Sequence, residues 1–120
     1  MTTWNLSGMQ HHVFICNGSS CLLKQAEAVT QSIRAEIAAQ GANHLIHTTR
    51  TQCQGRCEDA NVVTVYPEGI WYKEVTPELG CLIVSQHLLQ GERLEKQISY
   101  TLDKSLIPTG TSPLGISKQT

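Results

Sequence analysis

The sequence predicts an α/β domain in the order β-α-β-β-β-α, with a four-stranded mixed sheet and a C-terminal extension. Three observations predict it. A β-rich run, a helical stripe and a second β-rich run follow one another between His11 and Thr48. Two short apolar runs flank Pro67-Glu68-Gly69, which has the chemistry of a tight turn. Thr76-Pro77-Glu78 then opens a helix that Gly91 stops.

Residues 1–10 are polar and read as a flexible N-terminal segment. His11-His12-Val13-Phe14-Ile15 is the first strand and ends at Cys16. Asn17-Gly18-Ser19-Ser20 is loop chemistry, and Ser19 or Ser20 is expected to cap the next helix. In that helix Leu22, Ala26, Val29, Ile33 and Ile37 recur at three- and four-residue steps, one apolar stripe that Gly41 closes. Cys21 falls in its first turn. His44-Leu45-Ile46-His47-Thr48 is the second strand. Strand, helix and strand at this length imply parallel strands joined by a right-handed crossover.

Residues 49–60 form a polar loop, then Asn61–Tyr66 and Ile70–Lys73 make an antiparallel hairpin. The second helix runs to about Gln90 and has more apolar surface than one face needs. Ile83, Val84 and Leu88 make one side, while Leu79, Leu82 and Leu89 make another. The second stripe needs a cover, and self-association would supply one. Residues 11–95 thus form the domain. Residues 96–120 form an extension whose Thr, Ser, Gly and Pro content from Ser105 onward predicts a mostly mobile tail.

The chemistry lies in two cysteine pairs, Cys16-x4-Cys21 and Cys53-x3-Cys57. Each pair emerges near the carboxyl end of one of two adjacent parallel strands, so both belong at one edge of the sheet. Four thiolates brought together this way suit a small metal or iron–sulfur site. Structural zinc is the rival reading, but zinc knuckles usually use Cys-x2-Cys, and the wider spacings fit iron–sulfur better. Free thiols or a redox disulfide are the third reading. Gly55 lets the second loop turn tightly, and Arg50, Arg56 and Lys24 add positive charge nearby. Cys81 is expected on the second helix with no ligand role. His11, His12, His44 and His47 read as solvated or hydrogen-bonded strand residues rather than ligands, and His87 as a packed helix residue.

Composition limits the function classes. Nine basic and ten acidic residues give a net charge of −1, which offers no electrostatic support for nucleic acid or an anionic membrane. The sequence shows neither a signal peptide nor a membrane span, so a cytoplasmic, reducing location is expected. Five cysteines are then poorly explained by disulfides.

The order of elements is thioredoxin-like, without a catalytic Cys-x2-Cys. His12-Val13-Phe14-Ile15-Cys16, Cys53-x3-Cys57 and Tyr66-Pro67-Glu68-Gly69-Ile70-Trp71-Tyr72, continuing through Val75-Thr76-Pro77-Glu78, resemble the thioredoxin-like 2Fe-2S ferredoxins. The resemblance spans residues 11–95. It implies a 2Fe-2S cluster held by Cys16, Cys21, Cys53 and Cys57, one-electron transfer to and from a redox partner protein such as a reductase or acceptor enzyme, and a homodimer. Many of these ferredoxins have a longer loop between the first two ligands. The four-residue gap here is similar to that of the 24-kDa-type subunit of respiratory NADH dehydrogenase and of hydrogenase subunits. The long C-terminal extension is a second departure. All-cysteine ligation implies a low potential, near about −400 mV as in plant-type ferredoxins. Alternative functions on the same fold are a sensor or delivery module for iron–sulfur units, a thiol oxidoreductase acting through Cys53 and Cys57, and a structural zinc protein.

Overall fold

The first β-rich run forms β1 (His11–Cys16), the strand on which both halves of the molecule are built. The computed structural model describes residues 2–118. Val13 and Ile15 are wholly buried, while His12 and Phe14 between them face the opposite side of the sheet. β1 pairs in parallel with β2 (Ile46–Thr51) and antiparallel with β3 (Val63–Tyr66), as the order of elements predicts. β3 pairs with β4 (Ile70–Tyr72) in the expected hairpin around Pro67-Glu68-Gly69.

The first helix differs from expectation. It is two helices, α1 (Ser19–Leu23) and α2 (Ala26–Ala39), separated at Lys24 and Gln25. Gln25 adopts the left-handed conformation, with φ 68°. The break turns Cys21 inward and leaves Leu22 52% exposed, so Leu22 does not join the stripe that Ala26, Val29, Ile33 and Ile37 bury. Asn61 fastens the junction, its Nδ2 donating to the Lys24 carbonyl and, at 3.1 Å, to the Val75 carbonyl. Neither Ser19 nor Ser20 caps α1. Gly18 occupies the cap position, and both serines lie inside the helix.

α3 (Pro77–Leu82) begins as the sequence predicts. The Thr76 hydroxyl accepts from the Leu79 N–H at 3.1 Å, and Pro77 takes the first position. The helix widens into a π-wound stretch over Ile83–Leu88, and Gly91, at φ 76°, closes it. α2 and α3 pack closely where Gly80 faces Ile33. One core forms between the helices and the sheet, joining Val13, Ile15, Val65 and Tyr72 to Val29, Ile33, Ile83 and Val84.

The four-stranded sheet is corrected to six strands, in the order β2-β1-β3-β4-β5-β6. β5 (Ile98–Asp103) and β6 (Ser105–Pro108) come from the expected extension. Four strands would leave the outer edge of β4 unpaired, and β5 covers it. Lys104 turns β5 into β6 in a left-handed conformation, with φ 63°. The face away from the helices carries an aromatic row. His12 stacks on Phe14 at 3.9 Å, Trp71 donates to the Tyr66 hydroxyl at 3.1 Å, and Trp71 meets Tyr100 edge-on at 6.5 Å.

Candidate metal centre

β1 and β2 deliver the two cysteine pairs to the same rim. Cys16 is the last residue of β1, and its register partner Thr51 is the last of β2. From these ends the chain enters α1, which carries Cys21, and the loop that carries Cys53. All four cysteines, with Gly18, Ser20 and Arg56, line one small hollow. No disulfide joins them.

The four sit in two environments. Cys16 and Cys21 are 3% and 2% exposed and belong to a small apolar cluster with Ala26, Ala60 and Val62, against which Trp71 packs. Cys53 and Cys57 are exposed on the loop, their sulfurs 3.5 Å apart. The Gly55 N–H donates to Cys53 Sγ at 3.2 Å, and Cys16 Sγ lies 3.6 Å from the Gln52 carbonyl oxygen. Gly18 holds the loops together because it has no side chain. A Cβ there would stand 2.8 Å from the Cys53 Cα.

Burial pushes the Cys21 thiol up to about 12, and the neighbouring sulfurs of Cys16 and Cys53 add to the rise against a backbone hydrogen bond from Val62. At neutral pH Cys21 therefore stays a thiol unless a cation takes the place of its proton. Among the described residues, no group of three or more His, Cys, Asp or Glu is placed to hold a single metal ion. The two thiol pairs border one hollow. The donor set fits a 2Fe-2S cluster: four soft sulfurs, a glycine cradle and a backbone N–H already directed at sulfur.

A family model of thioredoxin-like 2Fe-2S ferredoxins matches residues 3–87. The chain belongs to the thioredoxin-like 2Fe-2S ferredoxin family. It is a 2Fe-2S ferredoxin, an electron carrier rather than an enzyme. Over 104 residues this ferredoxin is 50% identical to a Priestia megaterium protein provisionally named a 2Fe-2S ferredoxin, a match covering 87% of this chain and 81% of that one. It is 30% identical to a 2Fe-2S ferredoxin of Clostridium pasteurianum over 95 residues, covering 72% of this chain and 93% of that one. The solved structure of a thioredoxin-like 2Fe-2S ferredoxin from Aquifex aeolicus superposes with a TM-score of 0.73 at 28% identity, covering 86% of this ferredoxin and 98% of that chain.

Other residues of the sequence analysis fall elsewhere. Cys81 is half-buried on α3, its Sγ 2.9 Å from the Ser32 hydroxyl and away from the hollow. His12 Nε2 lies 2.7 Å from the Thr49 hydroxyl, His11 lies 2.9 Å from the Glu68 carboxylate, and His44 is exposed. His87 is packed in the core, as expected. Arg50, expected beside the loop as a free charge, pairs with Glu27 in a two-pronged ion pair. That guanidinium holds the Glu27 carboxyl down at about 2. Lys24 borders a different hollow with Asn61 and Pro77. Arg56 does line the cysteine hollow. Sequence reasoning missed Trp71 as a wall of the buried cysteine cluster. Its alternation with Ile70 and Tyr72 placed it off the core face, where this second cluster lies.

Among the described residues no helix is long and apolar enough to cross a membrane.

Proposed function

We propose that Cys16, Cys21, Cys53 and Cys57 hold the 2Fe-2S cluster and that this ferredoxin carries one electron at a time between a reductase and an acceptor enzyme. The observation that supports this reading is the single hollow lined by all four cysteines, with none of them in a disulfide. The cluster supplies the redox chemistry. The chain supplies the rest. The buried pair excludes water through Ala60, Val62 and Trp71, and the exposed pair brings the site to the surface where a partner can approach. The Gly55 N–H on Cys53 Sγ and the nearby Arg56 favour added negative charge and raise the potential from its all-cysteine baseline.

Two further parts belong to the proposal. The chain works in a reducing, cytoplasmic compartment, which keeps five cysteines as thiols. It forms a homodimer, because Leu82 and Leu89 on the last helix are 39% and 36% exposed. Light scattering on concentrated protein tests the second part, and a monomer there rejects it.

The ligand assignment is tested by four cysteine-to-serine variants purified without oxygen. Cys16→Ser, Cys21→Ser, Cys53→Ser and Cys57→Ser should each lose most visible absorption and the electron paramagnetic resonance signal after reduction. Cys81→Ser should keep both. Equal cluster retention in Cys21→Ser and Cys81→Ser rejects the assignment.

A further inference from the structure

Beyond β6 the chain turns back and lies across the loop between Cys53 and Cys57. We propose that residues 109–115 form a clamp on that loop, with Arg56 as its catch and a positioning role toward the two cysteines beside it. The inference rests on the reading that Cys53 and Cys57 are ligands.

Arg56 stands between those cysteines, and each of its three guanidinium nitrogens donates a hydrogen bond. Nε donates to Asp59 Oδ2 at 2.9 Å, Nη1 to the Leu114 carbonyl at 3.1 Å, and Nη2 to the Pro113 carbonyl. Its plane lies 5.1 Å from the centre of the Tyr100 ring, and the side chain is only 15% exposed. Asp59, its carboxylate partner, is itself 3% exposed and ends the turn that begins at Cys57. One planar cation therefore joins three things: the turn after Cys57, the face of β5, and the tail.

The tail is also held upstream. Lys73 Nζ donates to the Thr111 carbonyl at 2.6 Å. The Thr109 N–H donates to the Ser99 carbonyl at 2.9 Å, and the Thr109 hydroxyl to the Ile98 carbonyl at 2.7 Å. At Gly115, φ +81°, an added Cβ would stand 3.6 Å from Arg56 Nη1. Both cations grip backbone carbonyls, so the clamp reads the path of the tail rather than its side chains. Geometry of this kind suits a segment that fastens and releases as one piece.

Opening the Cys53–Cys57 loop requires Arg56 to leave Pro113 and Leu114, so tail release and loop opening share one free energy. A fastened tail holds the Cys53–Cys57 loop closed and slows cluster loss. A released tail leaves Arg56 held only by Asp59 and the Tyr100 ring, so the loop opens and the cluster is lost more readily.

The test compares cluster-loaded full chain, Arg56→Gln, a chain ending at Pro108, and the two changes combined. The readouts are bleaching of the visible bands under excess chelator, the midpoint potential, and protease cleavage after Pro108 in the full-length forms. Arg56→Gln and the shortened chain should each bleach about tenfold faster, the scale of one lost charge-assisted pair of hydrogen bonds. The combined change should bleach no faster than either alone. Arg56→Gln should lower the potential, because it removes a positive charge beside the cysteines, and should free the tail to protease, while the shortened chain keeps that charge and its potential. Arg56→Lys, which keeps the charge but not the fork, should fall between.

Unchanged bleaching in the shortened chain overturns the clamp, as do effects that simply multiply in the combined form. Cys53→Ser in the same assay separates the two readings. If it loads and keeps a cluster like the full chain, the ligand assignment fails. If it does not, while the shortened chain behaves normally, the clamp alone fails.

Discussion

Gly18 packs directly against Cys53: a Cβ at Gly18 would lie 2.8 Å from the Cys53 Cα and 2.9 Å from its nitrogen. This contact sets the separation between the loop after β1 and the loop after β2. Both clashing atoms are backbone, so no rotamer change relieves them. Gly18→Ala should push the loops apart, cost about 1–3 kcal/mol of stability, and lower the iron content of purified protein. Urea midpoints and iron assays check it, and full loading in Gly18→Ala would show that the loops tolerate a wider spacing.

Asn61 is 3% exposed and donates to two carbonyls, those of Lys24 and Val75. It fixes the break between α1 and α2 that turns Cys21 inward. Asn61→Asp removes both donors and sets a buried carboxylate against carbonyl oxygens. The expected loss is about 3 kcal/mol or more, since an unpaired charge costs more than an unpaired amide. Thermal unfolding measures it. A loss smaller than that of Asn61→Ala would contradict the bonding seen here.

Gly80 lets α3 cross α2 closely, with an added Cβ meeting Ile33 Cγ1 at 2.9 Å. Gly80→Ala forces Ile33, which is wholly buried, to shift. The expected cost is about 1–3 kcal/mol, against the small gain alanine gives an unhindered helix position. Net stabilisation on chemical unfolding would mean that the helices slide apart freely.

Tyr72 Oη lies 2.8 Å from His87 Nδ1 in the core, and the two rings meet edge-on. Burial pushes the Tyr72 hydroxyl up to about 12. Burial holds His87 below the ordinary histidine value of 6.5, with Arg93 and His11 adding to the depression and Glu68 opposing it. The folded protein therefore binds fewer protons at His87 than the unfolded chain does. Stability from this source is complete above 6.5 and falls as pH drops from there toward the lower folded value. His12, also lowered by burial and by His47, contributes with the same sign. Unfolding free energies measured from pH 7.5 to 5.5 should decline, and less steeply in His87→Gln. Equal slopes would remove His87 from the explanation.

The strand order around the site was legible because its signals are local. Val13, Phe14 and Ile15 announce β1, and the Thr76-Pro77 cap announces α3. The end of β1 at Cys16 was legible, but β2 runs past Thr48 to Thr51, because pairing with β1 carries it through residues that read as a polar loop. The α1–α2 break was not legible, because Leu22, Ala26 and Val29 keep helical spacing straight through it, and glutamine at Gln25 gives none of the left-handed signal of glycine or asparagine. β5 and β6 were missed for a different reason. Their pairing answers the open edge of β4, a requirement of the folded sheet that no neighbouring residue encodes. The two environments of the cysteines also depended on tertiary packing, above all on Val62 and Trp71 closing over Cys16 and Cys21.

The main apolar core between helices and sheet contains none of the five cysteines. Emptying the inorganic centre leaves that packing untouched. A chain emptied of its cluster should therefore keep its fold and take up iron and sulfide again.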